Sequence, residues 1–156
     1  MEKSSAESLT AILIGYERHT MKNKSLAQDY FLRAKVRLKA VNLLLEHDAY
    51  ADTVRESQEV VELALKALLR FAHIEVPRVH DVGDILLEQK QSLPPSVSHE
   101  LEKMAEISRS LRRDRELAFY GSEDLTPSQF YKKKDAKEAF KQAEWVVTTL
   151  SKVFQD

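Results

Sequence analysis

The sequence predicts an all-α domain: an antiparallel up-and-down four-helix bundle with an extra short helix and an N-terminal helical extension. Three observations lead there. The 156 residues include only three Gly and four Pro, where an average soluble chain carries roughly 12% of the two together. An all-β domain, which turns every few residues, is thereby disfavoured. Apolar residues then recur at four- and three-residue intervals over long stretches, the period of an amphipathic helix. Finally, Pro77, Pro94, Pro95, Gly121 and Pro127 fall between those stretches. No internal repeat and no Gly/Ser-rich linker divides the chain, and its length suits one domain. The boundaries expected are a helical extension over residues 1–24 and a bundle domain over 25–156.

The elements follow in order. Leu9, Ile12, Leu13 and Tyr16 share one face of a short helix over residues 7–22, which the stretch KNKS interrupts. Ser25 with Gln28 three residues on reads as a capping box, and Asp48 as the cap of the next helix. Ala27, Phe31, Ala34, Leu38, Val41 and Leu45 form an inward seam at 4-3-4-3-4 spacing. The following helix, roughly 49–73, is apolar around most of its circumference from Val60 to Leu69, as expected of the centre of a core. His80 to Gln89 reads as a short helix. Pro94-Pro95 starts a longer one to about residue 119, and Gly121 suits its left-handed exit. Thr126-Pro127-Ser128-Gln129 has the cap, the first-position Pro and the third-position Gln of a helix start. Lys132 to Asp135 restart the helix, and Ala136, Phe140, Ala143, Val147, Leu150 and Phe154 repeat the inward spacing. The total is four long or medium helices plus a shorter one.

Charge and composition exclude several functions. Basic and acidic residues number 24 and 25, a net −1, so no global field draws the chain to nucleic acid or an acidic membrane. A local basic patch is still compatible with that balance. With no Cys, disulfides, thiol catalysis and thiolate metal sites are excluded. The apolar run Ala11–Gly15, between Glu7 and Glu17, is too short and too acidic for a signal peptide or a membrane span. The expectation is a soluble cytoplasmic protein without a membrane partner. No E-x-x-H, H-E-x-x-H, Walker A or G-x-G-x-x-G pattern occurs, and no two of the five His are spaced i, i+4. No metal or cofactor is therefore expected. His80, beside Asp81, reads as a cap or surface residue.

The informative break is in the fourth helix. Its inward line Val97, Leu101, Met104, Ser108, Leu111 continues to Arg115 and Ala118. A guanidinium keeps its proton and is costly to bury unpaired. Arg115 therefore lies where the bundle opens, or has a carboxylate partner, or binds an anion. Arg109, Arg112 and Arg113 surround it, with Asp114 and Glu116 interleaved and Phe119 and Tyr120 following. A structural reading competes: charge runs are usually solvated faces, and cations suit helix C-terminal ends. On the central helix, Gln58, Glu62 and Lys66 make one polar stripe. Glu62 and Lys66 are an i, i+4 ion pair, and Glu62 is also a candidate carboxylate for Arg115.

These residues resemble the HEPN domain family. The stretch SQEVVELALKALLRFAHIEVPRVHDVGDIL is similar to the family signature through Gln58, Glu62, Ala64–Leu69, Pro77, His80 and Ile85-Leu86. Upstream, YFLRAKVRLKAVNLLLEHDAYADTVR resembles the family's first helix, and the likeness covers roughly residues 25–154. The family motif is an Arg, a polar residue and, four to six positions on, a His. Here Arg115 and Glu116 match, Tyr120 stands in the place of the His, and the chain looks closer to a Tyr-carrying subset. The resemblance implies a homodimer whose Arg motifs face one cleft; taken with the basic cluster, it leads to the expectation that a nucleotide or RNA is bound by Arg115, assisted by Arg109, Arg112, Arg113 and Tyr120. It also implies a nucleotidyltransferase partner. The alternatives are a metal-independent endoribonuclease toxin of a toxin–antitoxin pair, with Arg115 and Tyr120 catalytic, or a non-catalytic interaction scaffold. A phenol is a poor general base at neutral pH, so the Tyr argues against full ribonuclease activity.

Overall fold

The computed structural model describes residues 2–76, 78, 81–121, 123 and 125–154, without the side chains of 2–7, 19–22 and 114–119. Its order is α1 (Glu2–Glu46), α2 (Tyr50–Phe71), α3 (Val82–Glu88), α4 (Leu101–Tyr120), α5 (Pro127–Phe130) and α6 (Lys133–Leu150). Two 3-10 turns, Lys90–Ser92 and Pro95–Glu100, join α3 to α4. Every regular element among the described residues is helical, as the breaker count and periodicity predict.

The bundle is organised around α2. Val60, Ala64, Leu65, Ala67, Leu68 and Leu69 are wholly buried. α1, α4 and α6 pack against different sides of the helix, which explains why it is apolar nearly all round. Its two buried hydroxyls are satisfied internally: Thr53 Oγ1 donates to the Ala49 carbonyl and Ser57 Oγ to that of Thr53, both at 2.7 Å. The predicted seams are inward on both flanks. Ala27, Phe31, Ala34 and Val41 are buried on α1; Ala136, Ala143, Val147 and Leu150 are buried on α6. Beyond α6, Phe154 stacks on Phe31 with centroids 4.5 Å apart and meets Phe71 edge-on, tying the C-terminal end to α1 and α2.

The interruption expected at KNKS does not occur: α1 runs unbroken from residue 2 to 46, and Ser25 starts no helix. Asn23 explains this. Its side chain is 3% exposed and is turned across to α2, where Arg70 Nη1 donates to Asn23 Oδ1 at 3.5 Å and Asn23 Nδ2 lies 3.4 Å from His73 Nδ1. An Asn so engaged does not compete for its own backbone, the usual reason it breaks helices. Before Asn23, α1 projects past the bundle. Residues 8–18 are exposed throughout, including Leu9, Ile12, Leu13, Ile14 and Tyr16.

Asp48 does not cap α2, whose N-cap is Ala49 with no side-chain bond. Instead, Asp48 ends α1. With φ 60° it occupies the left-handed position usually held by Gly. Ala49 N–H donates to the Leu44 carbonyl at 3.0 Å and Asp48 N–H to that of Leu45 at 3.1 Å, a Schellman closure. His73, at φ 61°, closes α2 the same way, with Ile74 N–H on the Leu69 carbonyl and His73 N–H on that of Arg70.

The remaining boundaries follow local chemistry. Asp81 caps α3 by accepting from Gly83 N–H at 2.8 Å; His80, the other residue considered for that role, lies outside the described residues. Pro95 begins a 3-10 turn, so the fourth helix becomes α-helical only at Leu101. Thr126 and Gln129 form the expected capping box around Pro127. Asp135 accepts from Lys132 N–H at 2.8 Å to restart the chain into α6.

Two outcomes are expected. Leu68→Ala, at a site with no exposure, should lower unfolding free energy by about 2–5 kcal/mol in urea titrations. The second concerns Tyr50, whose hydroxyl donates to Asp48 Oδ1 at 3.0 Å. That bond holds the phenol pKa above its ordinary value. The stabilisation is present below the unfolded tyrosine pKa and is lost as pH rises through the folded value. Asp48→Asn, which tolerates the left-handed backbone, should return the Tyr50 titration toward that of a free phenol in NMR-monitored titrations.

Candidate anion-binding site

The last turns of α4 carry the arginines. Leu101, Met104, Ser108 and Leu111 are all buried along its inward line, and position 115 is next in that register. The side chains of Arg115 and Glu116 lie outside the described residues. Arg109 reaches sideways to α3, with Nη2 3.4 Å from Asp84 Oδ1 on the half-exposed surface. Arg112 and Arg113 are exposed. Tyr120, the last residue of α4, is 76% exposed.

The turn after Tyr120 depends on Gly121. Its φ is +77°, and a Cβ there would meet the Leu125 carbonyl oxygen at 2.6 Å and Pro127 Cδ at 2.8 Å. Only glycine fits so close a return of the backbone. α5 then leads to Tyr131, which is 4% exposed and meets the Phe130 ring edge-on at 5.0 Å. A cavity of about 290 Å³ opens here among Val54, Ser110, Leu111, Phe130, Tyr131 and Asp135.

The supporting stripe of α2 is connected as its spacing predicts. Lys66 Nζ lies 2.8 Å from Glu62 Oε1, and Gln58 Nε2 donates to Glu62 Oε2 at 2.8 Å. Both carboxylate oxygens of Glu62 thus have partners on their own helix. The Gln58 side chain is 4% exposed, and its Oε1 is a buried acceptor with no hydrogen-bond partner among the described residues. An unfilled acceptor at such depth is costly and suits an N–H donor. The structure thus joins Gln58, Glu62 and Lys66 on α2, and gathers Arg109, Arg112, Arg113 and Tyr120 on α4.

Sequence reasoning missed a second basic surface. Between α4 and α6 lies a trough of about 760 Å³, bordered by Lys103 and by Lys133, Lys134, Lys137 and Lys141. Trp145 forms part of its wall, with Lys103 Nζ 4.0 Å from the ring centroid. The signal was legible on α6, where Lys134, Lys137, Lys141 and Trp145 recur at three- and four-residue steps. Lys103, from another helix, joins them only in the fold. Among the described residues no group of three or more His, Asp or Glu could hold a metal ion, and no helix is long and apolar enough to cross a membrane.

The architecture and the basic end of α4 define a helical-bundle domain with an exposed Arg–Tyr helix terminus. The family model of the HEPN domain matches residues 27–153, and the chain belongs to that family. No curated protein and no solved structure matches it.

Gly121→Ala should cost about 1 kcal/mol or more in thermal or urea unfolding, because the added methyl meets backbone that cannot yield without moving α5.

Proposed function

We propose that this HEPN domain is a homodimeric module that binds a nucleotide or an RNA phosphate at the C-terminal end of α4. The observation that carries this reading is the exposure of Arg112, Arg113 and Tyr120 together on one short segment of a HEPN domain. Arg115 is the residue assigned to the phosphate. Guanidinium groups present forked donors that match phosphate oxygens, and they stay charged at any physiological pH. Gln58, Glu62 and Lys66 belong to this reading as the polar support on α2, with the unfilled Gln58 acceptor suited to an arginine N–H. Arg109 is tied to Asp84 and contributes through field rather than direct contact. A nucleotidyltransferase is the partner this reading assigns, and the exposed residues 8–18 of α1 are an extension beyond the bundle.

The second reading, metal-independent RNA cleavage by Arg115 and Tyr120, is favoured by one observation: the Tyr120 side chain is 76% exposed and stands five residues after Arg115. In that role the phenol acts as hydrogen-bond donor more readily than as base.

Arg115→Ala should abolish saturable binding of nucleotide or short RNA while leaving the unfolding midpoint near that of the parent. Unchanged binding, or simple unfolding, would make Arg115 structural. Incubation of concentrated protein with RNA in EDTA separates the readings. Cleavage lost in both Arg115→Ala and Tyr120→Phe establishes the enzyme; absence of cleavage by the dimeric parent leaves the binding module. A stable dimer that binds no nucleotide at all would identify a scaffold.

A further inference from the structure

We propose that the trough between α4 and α6 is a binding site for single-stranded nucleic acid, with phosphates along the lysines of α6 and an unpaired base on Trp145. The trough exists because α4 and α6 each pack on α2 but scarcely touch each other. Its border carries five ammonium groups against one carboxylate, Glu138. Among the described residues none of these five lysines makes an ion pair, whereas Arg109 and Lys66 each have a carboxylate.

This arrangement works against the stability of α6. Lys133 and Lys134 begin the helix, where the macrodipole disfavours cations. Lys133, Lys137 and Lys141 repeat at i, i+4, so each repels the next. A polyanion lying in the trough reverses both effects, since helix N-termini and unneutralised ammonium groups alike attract phosphate.

The form of the site selects the ligand. From Lys133 to Lys141 the row extends about 12 Å along the helix axis, the length of roughly three nucleotides. Lysines act as flexible point charges suited to a phosphate backbone. The aromatic wall supplies what a plain basic stripe lacks. Lys103 now covers the Trp145 face. A phosphate that draws Lys103 away leaves that face to a base, and base–aromatic stacking is tolerant of sequence. A duplex offers no unpaired base and is excluded from this mode. The inference stands independently of the α4 arginines, because it uses a different set of side chains.

Trp145 is the single Trp of the chain, so its fluorescence reports on the trough alone. Titration of the full chain with a short oligouridylate should quench it saturably. The logarithm of the binding constant should fall against the logarithm of salt with a slope of about −2. Lys137→Glu/Lys141→Glu, both at exposed positions, should weaken quenching about tenfold or more with the circular dichroism unchanged. Lys137→Gln/Lys141→Gln serves if the reversal disturbs folding. Arg112→Ala/Arg113→Ala should leave the Trp signal intact, so loss at the trough and loss at the α4 end are read separately. Unaltered emission with the oligonucleotide, undiminished quenching in the folded lysine variants, or equal quenching by polyglutamate or by a duplex of the same length would each overturn the proposal.

Discussion

Burial of α2 on several sides is the constraint from which the rest of the molecule follows. A helix whose Val60–Leu69 segment is almost entirely buried must be covered by at least three other elements. α1, α4 and α6 supply that cover. The chain achieves this with small residues where backbones come close: Ala27 and Ala34 on α1, Ala64 and Ala67 on α2, and Ala139 and Ala143 on α6 are all buried. Larger side chains fill the gaps between these contacts, as dense packing requires.

The same centrality governs the polar residues. Hydroxyls on α2 are buried because they donate to carbonyls of their own helix. Glu62 and Lys66 stay at the edge of the core because a carboxylate cannot be buried cheaply without partners, while Gln58 of the same stripe is buried. Both helices of the α1–α2 hairpin are closed at their C-terminal ends by non-Gly residues in left-handed backbone, Asp48 and His73. Each has a compensating side-chain contact, with Tyr50 and Asn23 respectively. The second contact also binds the middle of α1 to the end of α2, marking where α1 joins the bundle.

A hub helix surrounded by three others leaves its neighbours imperfectly packed on one another, and this is where charge gathers. The α4 end and the α4–α6 trough concentrate basic residues in a chain of net charge −1. The resulting fields are local. They act over about a Debye length and do not draw anions to the molecule as a whole. Membership of the HEPN family places the arginine segment in a domain class related to nucleotides and RNA. The trough is a feature of this chain's own lysines and tryptophan.

Short-range chemistry made much of the fold legible in the residues. Seven Gly and Pro, the 4-3 apolar spacing, the Thr126–Gln129 box and the turn at Gly121 are local signals, and each yields the element it implies. The inward register of α4 as far as Leu111 and the Glu62–Lys66 pair were readable for the same reason, since both lie within one helix. Long-range contacts decided the remainder. KNKS looks like a break until Asn23 is engaged by Arg70 and His73, nearly fifty residues away. Asp48 has the composition of an N-cap, yet the Schellman closure of α1 claims its backbone. Lys103 and Trp145 come from helices that are separate in sequence, and their meeting depends on how both lean on α2. Helical period is written into neighbouring residues, whereas the juxtaposition of charges from different helices arises only when the core is packed.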